Sequence, residues 1–267
     1  MYRVVMYSLV GVSAELAQQL VAVEAGGEDA VHQARTRVRR LRSILSVYRR
    51  AFDRNETRRM RARLKRLGAR LGNARDLEVR ARDLSSLIDA DTAPEVAHAL
   101  ETMAAEARER HERALDDLLR SLRSRGHREL LADLQRFAAA PPLSDAGTAH
   151  PRRVARKGLR KAARRVLRSS GESLEERHET RKAARRLRYA AEAVADDLGG
   201  PAVRMSISAE AVQDALGDHR DLVLLARYLR ERAAVKGVEA LAADCERRAE
   251  ERLAGLDDKL AAIDGLR

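Results

Sequence analysis

The feature that most constrains the fold of this chain is an internal repeat of two motifs. The first motif reads His32-x-x-Arg35-x-x-x-Arg39-Arg40-Leu41-Arg42, and it recurs 146 residues later as His178-x-x-Arg181-x-x-x-Arg185-Arg186-Leu187-Arg188. The second motif reads Leu71-Gly72-Asn73-Ala74-Arg75-Asp76-Leu77, and it recurs 145 residues later as Leu216-Gly217-Asp218-His219-Arg220-Asp221-Leu222. Because both motifs keep their order and almost the same offset, the sequence predicts a duplicated unit that spans most of the chain.

The composition predicts that this unit is helical. Hydrophobic residues make up 45% of the 267 residues and are mostly Ala, Leu and Val, whereas aromatic residues make up 3%, with no Trp and five Pro. Such a composition favours long helices over a sheet. We therefore expect an all-α fold with four main helices in each half, which is the minimum for an antiparallel bundle with short connections.

Turn residues and capping patterns predict where these helices begin and end. The segment 141–151 contains three Pro, Gly147 and small polar residues, as is typical of a linker. We therefore expect a first bundle over 1–140, a linker over 141–151 and a second bundle over 152–267. The predicted helices cover the first segment to Val23, then about 29–52, 58–88, 92–123 and 127–139, and in the second half about 152–168, 173–198, 203–233 and 237–263.

Positive charge is concentrated in two corresponding regions. Residues 31–75 contain sixteen Lys or Arg and two acidic residues, and residues 152–188 contain fifteen Lys or Arg and four acidic residues. Since the whole chain has a net charge of +12, the remaining residues carry a net charge of −13. Like charges at this density repel one another and destabilise the compact state, so their separation from the acidic residues indicates a polyanionic partner.

The basic residues fall on helix faces. At about 100° per residue, the His and Arg residues of each copy of the first motif form one stripe about 80° wide, beside the apolar side of the helix. Acidic residues at i+4, which would make these faces ordinary ion-paired surfaces, are nearly absent. Arginine and lysine bind phosphate through charge-assisted hydrogen bonds. The predicted anion-binding residues are His32, Arg35, Arg39, Arg42, His178, Arg181, Arg185 and Arg188 in the two stripes, with Arg59, Arg63, Arg66 and Arg70 in a third and Arg153, Arg156, Lys157, Arg160 and Arg164 in a fourth.

The two repeated motifs have different predicted roles. A single histidine near a helix start commonly serves packing or capping, but the equivalent placement of His32 and His178 in both copies favours a contact with the anion. Glycine inside a helix costs about 1 kcal/mol relative to alanine, so we expect Gly72 and Gly217 to permit a close approach between helices. We expect Asp76 and Asp221 to hold a nearby arginine in place, and we favour this architectural role over a catalytic one.

The chain is expected in a reducing compartment. Its single cysteine, Cys245, excludes a disulfide framework and a multi-cysteine zinc site, which indicates the cytoplasm. No apolar run approaches the ~20 residues of a membrane span. Residues 1–14 have the pattern of a weak signal peptide, but they also fit the beginning of the first helix, which we favour.

These motifs resemble the CHAD domain, a family of histidine-containing α-helical domains. The resemblance rests on both copies of each motif and on the basic helix that opens the second half, and it covers about Ser8 to Ile263. It implies two four-helix bundles related by pseudo-two-fold symmetry, with basic helices facing a shared central channel or groove. It also implies that this surface binds inorganic polyphosphate and can direct the protein to polyphosphate granules. The positions that match the family motif are His32, Arg35, Arg39, Arg42, His178, Arg181, Arg185 and Arg188.

Two other classes of function use the same charge. A nucleic-acid-binding protein would bind with low specificity through its basic surface, but single-strand binders stack bases on aromatic side chains, of which this chain has few. An enzyme of polyphosphate metabolism would need a phosphate-binding glycine loop, a paired-carboxylate metal site or a nucleophile with its base, and none is recognisable. Asp214, Asp218 and Asp221 could collect a cation, but two of them belong to the architectural motif. We therefore expect no catalytic residues, no metal and no cofactor, with polyphosphate as the partner.

Overall fold

The computed structural model describes residues 2–232 and 235–266, and over these residues the chain is all-α, as predicted, with twelve helices and no β-strand. The first half contains α1 (Tyr2–Glu24), α2 (Ala30–Val47), α3 (Arg54–Ser85), α4 (Pro94–Leu122) and α5 (Arg125–Ala139). A short helix, α6 (Asp145–Ala149), lies within the predicted linker. The second half contains α7 (Pro151–Ser169), α8 (Leu174–Glu192), α9 (Ala195–Leu198), α10 (Gly200–Arg230), α11 (Lys236–Glu251) and α12 (Leu256–Asp264).

The boundary between α2 and α3 differs from the prediction. Helix α2 ends at Val47 and not near Phe52, which instead forms an isolated antiparallel bridge with Leu143. Helix α3 begins at Arg54, four residues earlier than predicted, because the side chain of Asp53 accepts hydrogen bonds from the backbone N–H groups of Asn55 and Glu56, both at 2.9 Å. Such a cap satisfies N–H groups that the first helical turn leaves without partners.

The second half is more divided than predicted. The helix expected over 173–198 ends at Glu192, and α9 follows as a separate short turn. The last predicted helix, 237–263, is two helices, because the chain turns between Arg252 and Gly255, where Gly255 has a φ of 69°. This left-handed conformation is readily available to glycine. Residue 233, the predicted end of the preceding helix, lies outside the described residues.

The helices pack in the same order in both halves. In the first half α1 packs on α2, α2 on α3 and α3 on α4, with α5 against α1. In the second half α7 packs on α8, α8 on α10 and α10 on α11, with α12 against α7. The two halves meet where α2 packs against α8, the helices that carry the two copies of the first motif.

The hydrophobic core does not divide at the boundary between the halves. One cluster of buried side chains includes residues of α1, α2, α5, α7, α8 and α12, and a second cluster joins the ends of α3 and α10 to α4 and α11. At the α2–α8 contact the hydroxyl of Tyr48, which is 1% exposed, donates a hydrogen bond of 2.5 Å to the carbonyl of Ala190. The two halves therefore share their interior.

The amino-terminal segment is part of this interior. Over Tyr2–Glu24 the chain forms one helix, and Leu9, Val12 and Leu16 are buried in the core. Met1 lies outside the described residues. Among the helices that the structure describes, none combines the length and the hydropathy that a membrane span requires.

Candidate anion-binding site

The packing of α2 on α8 brings the arginines of the two stripes together. Arg35, Arg39, Arg181 and Arg185 form a group that we call the central cluster. Burial lowers the pKa of Arg39 to about 10, and the charges of Arg35 and Arg181 add to this effect. Burial also lowers the pKa of Arg185 to about 9, with the charges of Arg39 and Arg181 as further causes. Both side chains stay charged at neutral pH, so the cluster is a set of crowded, partly desolvated cations.

Two carboxylates lie near the cluster: Asp76 pairs with Arg35, and Asp221 interacts electrostatically with Arg181. Among the described residues, no carboxylate forms an ion pair with Arg39, Arg181 or Arg185. The Nε atom of Arg181 is buried and has no hydrogen-bond partner within the described chain. Buried polar groups are normally hydrogen-bonded, so this cluster has the electrostatics of a site for an anion.

The second motif supports the first arginine of each stripe. Arg35 Nη1 lies 2.6 Å from Asp76 Oδ1, as the sequence predicted for this aspartate. A Cβ atom added at Gly72 would lie 3.7 Å from the guanidinium of Arg35, and one at Gly217 would lie 3.3 Å from Nε and Nη2 of Arg181. Gly217 thus makes room for the guanidinium of Arg181, whereas a Cβ at Gly72 would meet Arg35 at ordinary contact distance. The contact at Gly217 is more specific than the close helix approach that the sequence predicted.

Both motif histidines lie beside cationic side chains, and those beside His32 include Arg35 and Arg39 of the cluster. Burial lowers the pKa of His32, and the charges of Arg75, Arg39 and Arg35 lower it further, against the opposing effect of Asp29. Burial and the charges of Arg220 and Lys182 likewise lower the pKa of His178, against the opposing effects of Glu175 and Glu179. The Nδ1 atom of His178 is buried and has no hydrogen-bond partner among the described residues. Arg75 and Arg220, which the sequence interpretation treated as architectural, are therefore close neighbours of the two histidines.

The fourth residue of each stripe differs between the two halves. Burial and the charge of Arg61 lower the pKa of Arg42, and no carboxylate pairs with Arg42 within the described chain. Arg188 instead pairs with Glu192 at 2.9 Å and with Glu210 at 2.7 Å. Burial lowers the pKa of Arg188, but the two carboxylates outweigh burial, so the pKa is raised overall. The duplicated stripe is therefore neutralised at Arg188 and not at Arg42.

The third predicted stripe lies apart from the central cluster. Arg59, Arg63 and Arg66 line a pocket between α3 and α5, where Arg59 pairs with Glu56 at 2.9 Å and Arg63 pairs with Asp133. Arg70 is exposed and does not line this pocket. The predicted shared groove therefore does not include this face, because α3 turns these side chains toward α5.

The fourth predicted stripe is split by the packing of α7. Arg153 and Lys157 line a cavity of about 660 Å³ between the end of α2, α7 and α8, which we call the α7 cavity, whereas Arg156, Arg160 and Arg164 are exposed outside it. The sequence interpretation missed the other cations of this cavity. A spacing of four residues along α7 would have pointed to most of its members on that helix. The missed cations are Arg49, Arg50, Lys161, Arg165, Arg168 and Arg186.

The acidic residues of the second half do not form a metal site. Within the part of the chain that the structure describes, no group of three or more His, Cys, Asp or Glu side chains has the arrangement to hold a metal ion. Cys245 is buried with a free thiol. The Lys and Arg side chains of the central cluster and the α7 cavity supply positive charge and hydrogen-bond donors.

Comparison with known proteins agrees with the motifs. The family model of the CHAD domain matches residues 12–230. The chain is 32% identical over 227 residues to two Mycobacterium tuberculosis proteins, Rv2226 of strain H37Rv and MT2285 of strain CDC 1551. The aligned part covers 79% of this chain and 42% of each relative, so the chain spans less than half the length of these relatives.

Two solved structures share the fold. PptA from Streptomyces chartreusis superposes with a TM-score of 0.80 at 17% identity, covering 97% of this chain and 98% of that one. The CHAD domain from the plant Ricinus communis superposes with a TM-score of 0.73 at 24% identity, covering 100% of this chain and 92% of that one.

Proposed function

The chain belongs to the CHAD domain family, and from this premise we propose that it binds inorganic polyphosphate through the central cluster without catalysing a reaction. The observation that carries the proposal is the meeting of Arg39 and Arg185 across the α2–α8 contact, with their pKa lowered to about 10 and about 9. A phosphate chain would supply the negative charge that these side chains lack. Arginine donates charge-assisted hydrogen bonds to phosphate oxygens, often two at a time.

The aromatic side chains favour polyphosphate over nucleic acid. Single-strand binders present aromatic faces on which bases stack. Tyr48, Phe52, Phe137, Tyr189 and Tyr228 are all buried. The described residues near the central cluster therefore offer charge without a stacking platform, which suits a polyanion that has no bases. We expect nucleic acid to bind weakly and without sequence preference.

The proposal extends to the cellular setting. A cytoplasmic protein whose function is to bind polyphosphate would accumulate where polyphosphate does, so we propose association with polyphosphate granules. A fluorescent fusion should colocalise with granules in cells that make polyphosphate. The same fusion should be diffuse in cells that make none.

A titration at matched ionic strength tests the binding proposal. Long-chain polyphosphate should bind more tightly than DNA or RNA of similar total charge. The variant Arg35→Gln/Arg39→Gln/Arg181→Gln/Arg185→Gln should lose about two orders of magnitude in affinity or more, since a hydrogen bond to a charged group contributes about 1.5–3 kcal/mol. The slope of log affinity against log salt should flatten by about 3, at about 0.7 for each lost contact.

A second variant controls for net charge. Replacing the exposed residues Arg110, Arg123, Arg128 and Arg204 with Gln removes the same number of charges from other surfaces. Circular dichroism should report unchanged helicity for both variants. Equal losses of affinity in the two variants, or tighter binding of either nucleic acid by the wild type, would contradict the proposal.

A further inference from the structure

The charged side chains that line the α7 cavity are all Lys or Arg. Eight Lys and Arg side chains, from the turn after α2, from α7 and from α8, line it, and the described residues of its lining include no carboxylate. Its volume of about 660 Å³ lies within the range of ligand pockets, about 300–1,000 Å³. Cations at this density in a concave site raise the local concentration of anions, so the occupant that the chemistry fits is a set of closely spaced phosphate groups.

The cavity is electrostatically continuous with the central cluster. Arg186, which lines the cavity, follows Arg185 of the cluster in sequence and adds to the lowering of the pKa of Arg185. Burial lowers the pKa of Arg186 itself, and the charges of Arg165, Arg61 and Arg42 lower it further, against the opposing effect of Glu179. Glu179 is held by Lys182 at 2.5 Å. A series of cations without intervening carboxylate pairs therefore leads from the α2–α8 contact into the cavity.

The corresponding positions of the other half are neutralised. At the repeat offset of 146, Ser46 and Lys161 of the cavity correspond to Glu192 and Glu15. Glu192 lies 3.4 Å from Arg40 and 2.9 Å from Arg188, which correspond to Arg186 and Arg42. Glu15 lies 2.6 Å from Arg37. The two sides of the central cluster are therefore alike in helix packing, but the charge is positive on the α7 side and neutralised on the other.

We propose that the α7 cavity is a second phosphate-binding site, and that a bound polyphosphate chain extends from the central cluster into it and not toward Glu192 and Glu210. This inference rests on the proposed function. It makes binding directional, because a phosphate chain gains contacts on the α7 side and meets paired carboxylates on the other. The directionality arises because the cationic lining of the cavity is not repeated on the other side of the cluster, where Glu15 and Glu192 occupy the positions that correspond to Lys161 and Ser46.

Two variants of α7 test the cavity against net charge. The cavity variant is Lys161→Gln/Arg165→Gln/Arg168→Gln, and the matched variant is Arg156→Gln/Arg160→Gln/Arg164→Gln, which removes the same charge from exposed positions of the same helix. For long-chain polyphosphate the cavity variant should lose about tenfold in affinity or more, and its salt slope should flatten by about 2. In the matched variant both the loss of affinity and the flattening of the salt slope should be smaller. Wild-type affinity should also keep rising with chain length beyond the point where the cavity variant levels off.

A reciprocal variant tests the neutralised side. Glu192→Gln with Glu210→Gln frees Arg188 and Arg40, so long-chain polyphosphate should bind more tightly and with a steeper salt slope. Unchanged affinity in this variant, or equal losses in the cavity and matched variants, would overturn the directional site. If the cavity variant and the central-cluster variant both kept wild-type affinity, the proposed function itself would fail.

Lysine protection gives a measurement that needs no variant. Acetylation of the intact protein, read by mass spectrometry, should show Lys157 and Lys161 protected by long-chain polyphosphate. Lys65, which is exposed on α3 outside the cavity, should stay reactive. Equal reactivity of Lys161 with and without polyphosphate would contradict the cavity site even if a substituted α7 failed to fold.

Discussion

At the scale of the residue, arginine occurs in three electrostatic environments in this protein. Arg39 and Arg185 are crowded and unpaired within the described chain, Arg35 is oriented by Asp76, and Arg188 is neutralised by two glutamates. Equivalent arginines of the repeat can therefore differ in whether a carboxylate already occupies them, as Arg42 and Arg188 do. What distinguishes them is the nearest carboxylate, which lies on another helix or a turn further along the same one.

The histidines are expected to make binding depend on pH. Because burial lowers the pKa of His32 and His178 below the ordinary value of about 6.5, both are neutral at pH 7 in the free protein. A phosphate chain beside them raises their pKa, so binding takes up protons and strengthens as pH falls from about 8 to 6. The variant His32→Gln/His178→Gln should lose most of this dependence in titrations across that range. A wild-type pH profile in the double variant would assign both histidines to packing.

The two motif glycines offer a matched pair of substitutions. Gly72→Ala places a methyl group at ordinary contact distance from Arg35, 3.7 Å, and should stabilise α3 by up to about 1 kcal/mol with polyphosphate affinity unchanged. Gly217→Ala places it 3.3 Å from Nε and Nη2 of Arg181, so the guanidinium must move and affinity should fall severalfold. Chemical denaturation and polyphosphate titration would measure both effects. Equal affinities in the two variants would mean that Arg181 does not contact the ligand.

At the scale of the element, α2 and α8 each carry a buried apolar side and an edge of arginines. The apolar sides hold the helices in the core, with Val38, Leu41, Ala184 and Leu187 all at or near complete burial. Their packing brings the adjoining arginines together and removes part of their hydration. The helices therefore carry an electrostatic cost in the free protein that an anion would relieve.

Removing that charge should stabilise the free protein. A base whose pKa is lowered by folding destabilises the folded state at every pH below that lowered pKa, which for Arg39 and Arg185 includes neutral pH. Arg39→Gln and Arg185→Gln should each raise the free energy of unfolding by on the order of 1 kcal/mol, after allowance for partial exposure. Chemical denaturation of these variants and of the exposed control Arg110→Gln checks this. With saturating polyphosphate the wild type should become more stable than the two variants, because ligand binding adds more to its free energy of unfolding. A loss of stability in both variants would contradict the crowding of the cluster.

At the scale of the whole molecule, the two halves share one hydrophobic interior. Both clusters of buried side chains contain residues of both halves, so separating the halves would expose apolar surface at two places. Burial of apolar surface is the main favourable contribution to folding. The central cluster lies on the contact between the halves, so the shared interior also keeps the arginines of α2 in place against those of α8.

Tyr48 tests whether the halves unfold together. Tyr48→Phe removes the hydrogen bond to Ala190 and should lower the free energy of unfolding by about 1 kcal/mol, and Tyr48→Ala should lower it by about 3–5 kcal/mol. Tyr228→Phe is the control, since the hydroxyl of this buried residue makes no hydrogen bond within the described chain. Thermal unfolding of all three should remain a single transition. Two separate transitions in the Tyr48→Ala variant would show that the halves fold independently.

Much of this protein could be predicted from local sequence. Helix content follows from composition, and the α8 start follows from the Ser173–Glu176 capping box, which the structure contains. The stripe on α2 follows from the spacing of His32, Arg35 and Arg39, because helical periodicity determines which residues share a face. These three features depend on residues that are close in sequence. The second motif also predicted that Asp76 holds an arginine, but its partner Arg35 lies 41 residues away on another helix.

What the tertiary structure alone decided is which charges meet. Arg63 and Lys157 lie in equally basic segments, yet α5 places Asp133 beside Arg63, while Lys157 lines a cavity among other cations. Likewise Arg42 and Arg188 occupy the same motif position and differ only through Glu192 and Glu210. The physical reason is that Coulomb interactions and desolvation depend on distance in space. Helical periodicity determines which residues share a face, whereas packing against a distant helix determines which other charges lie beside that face.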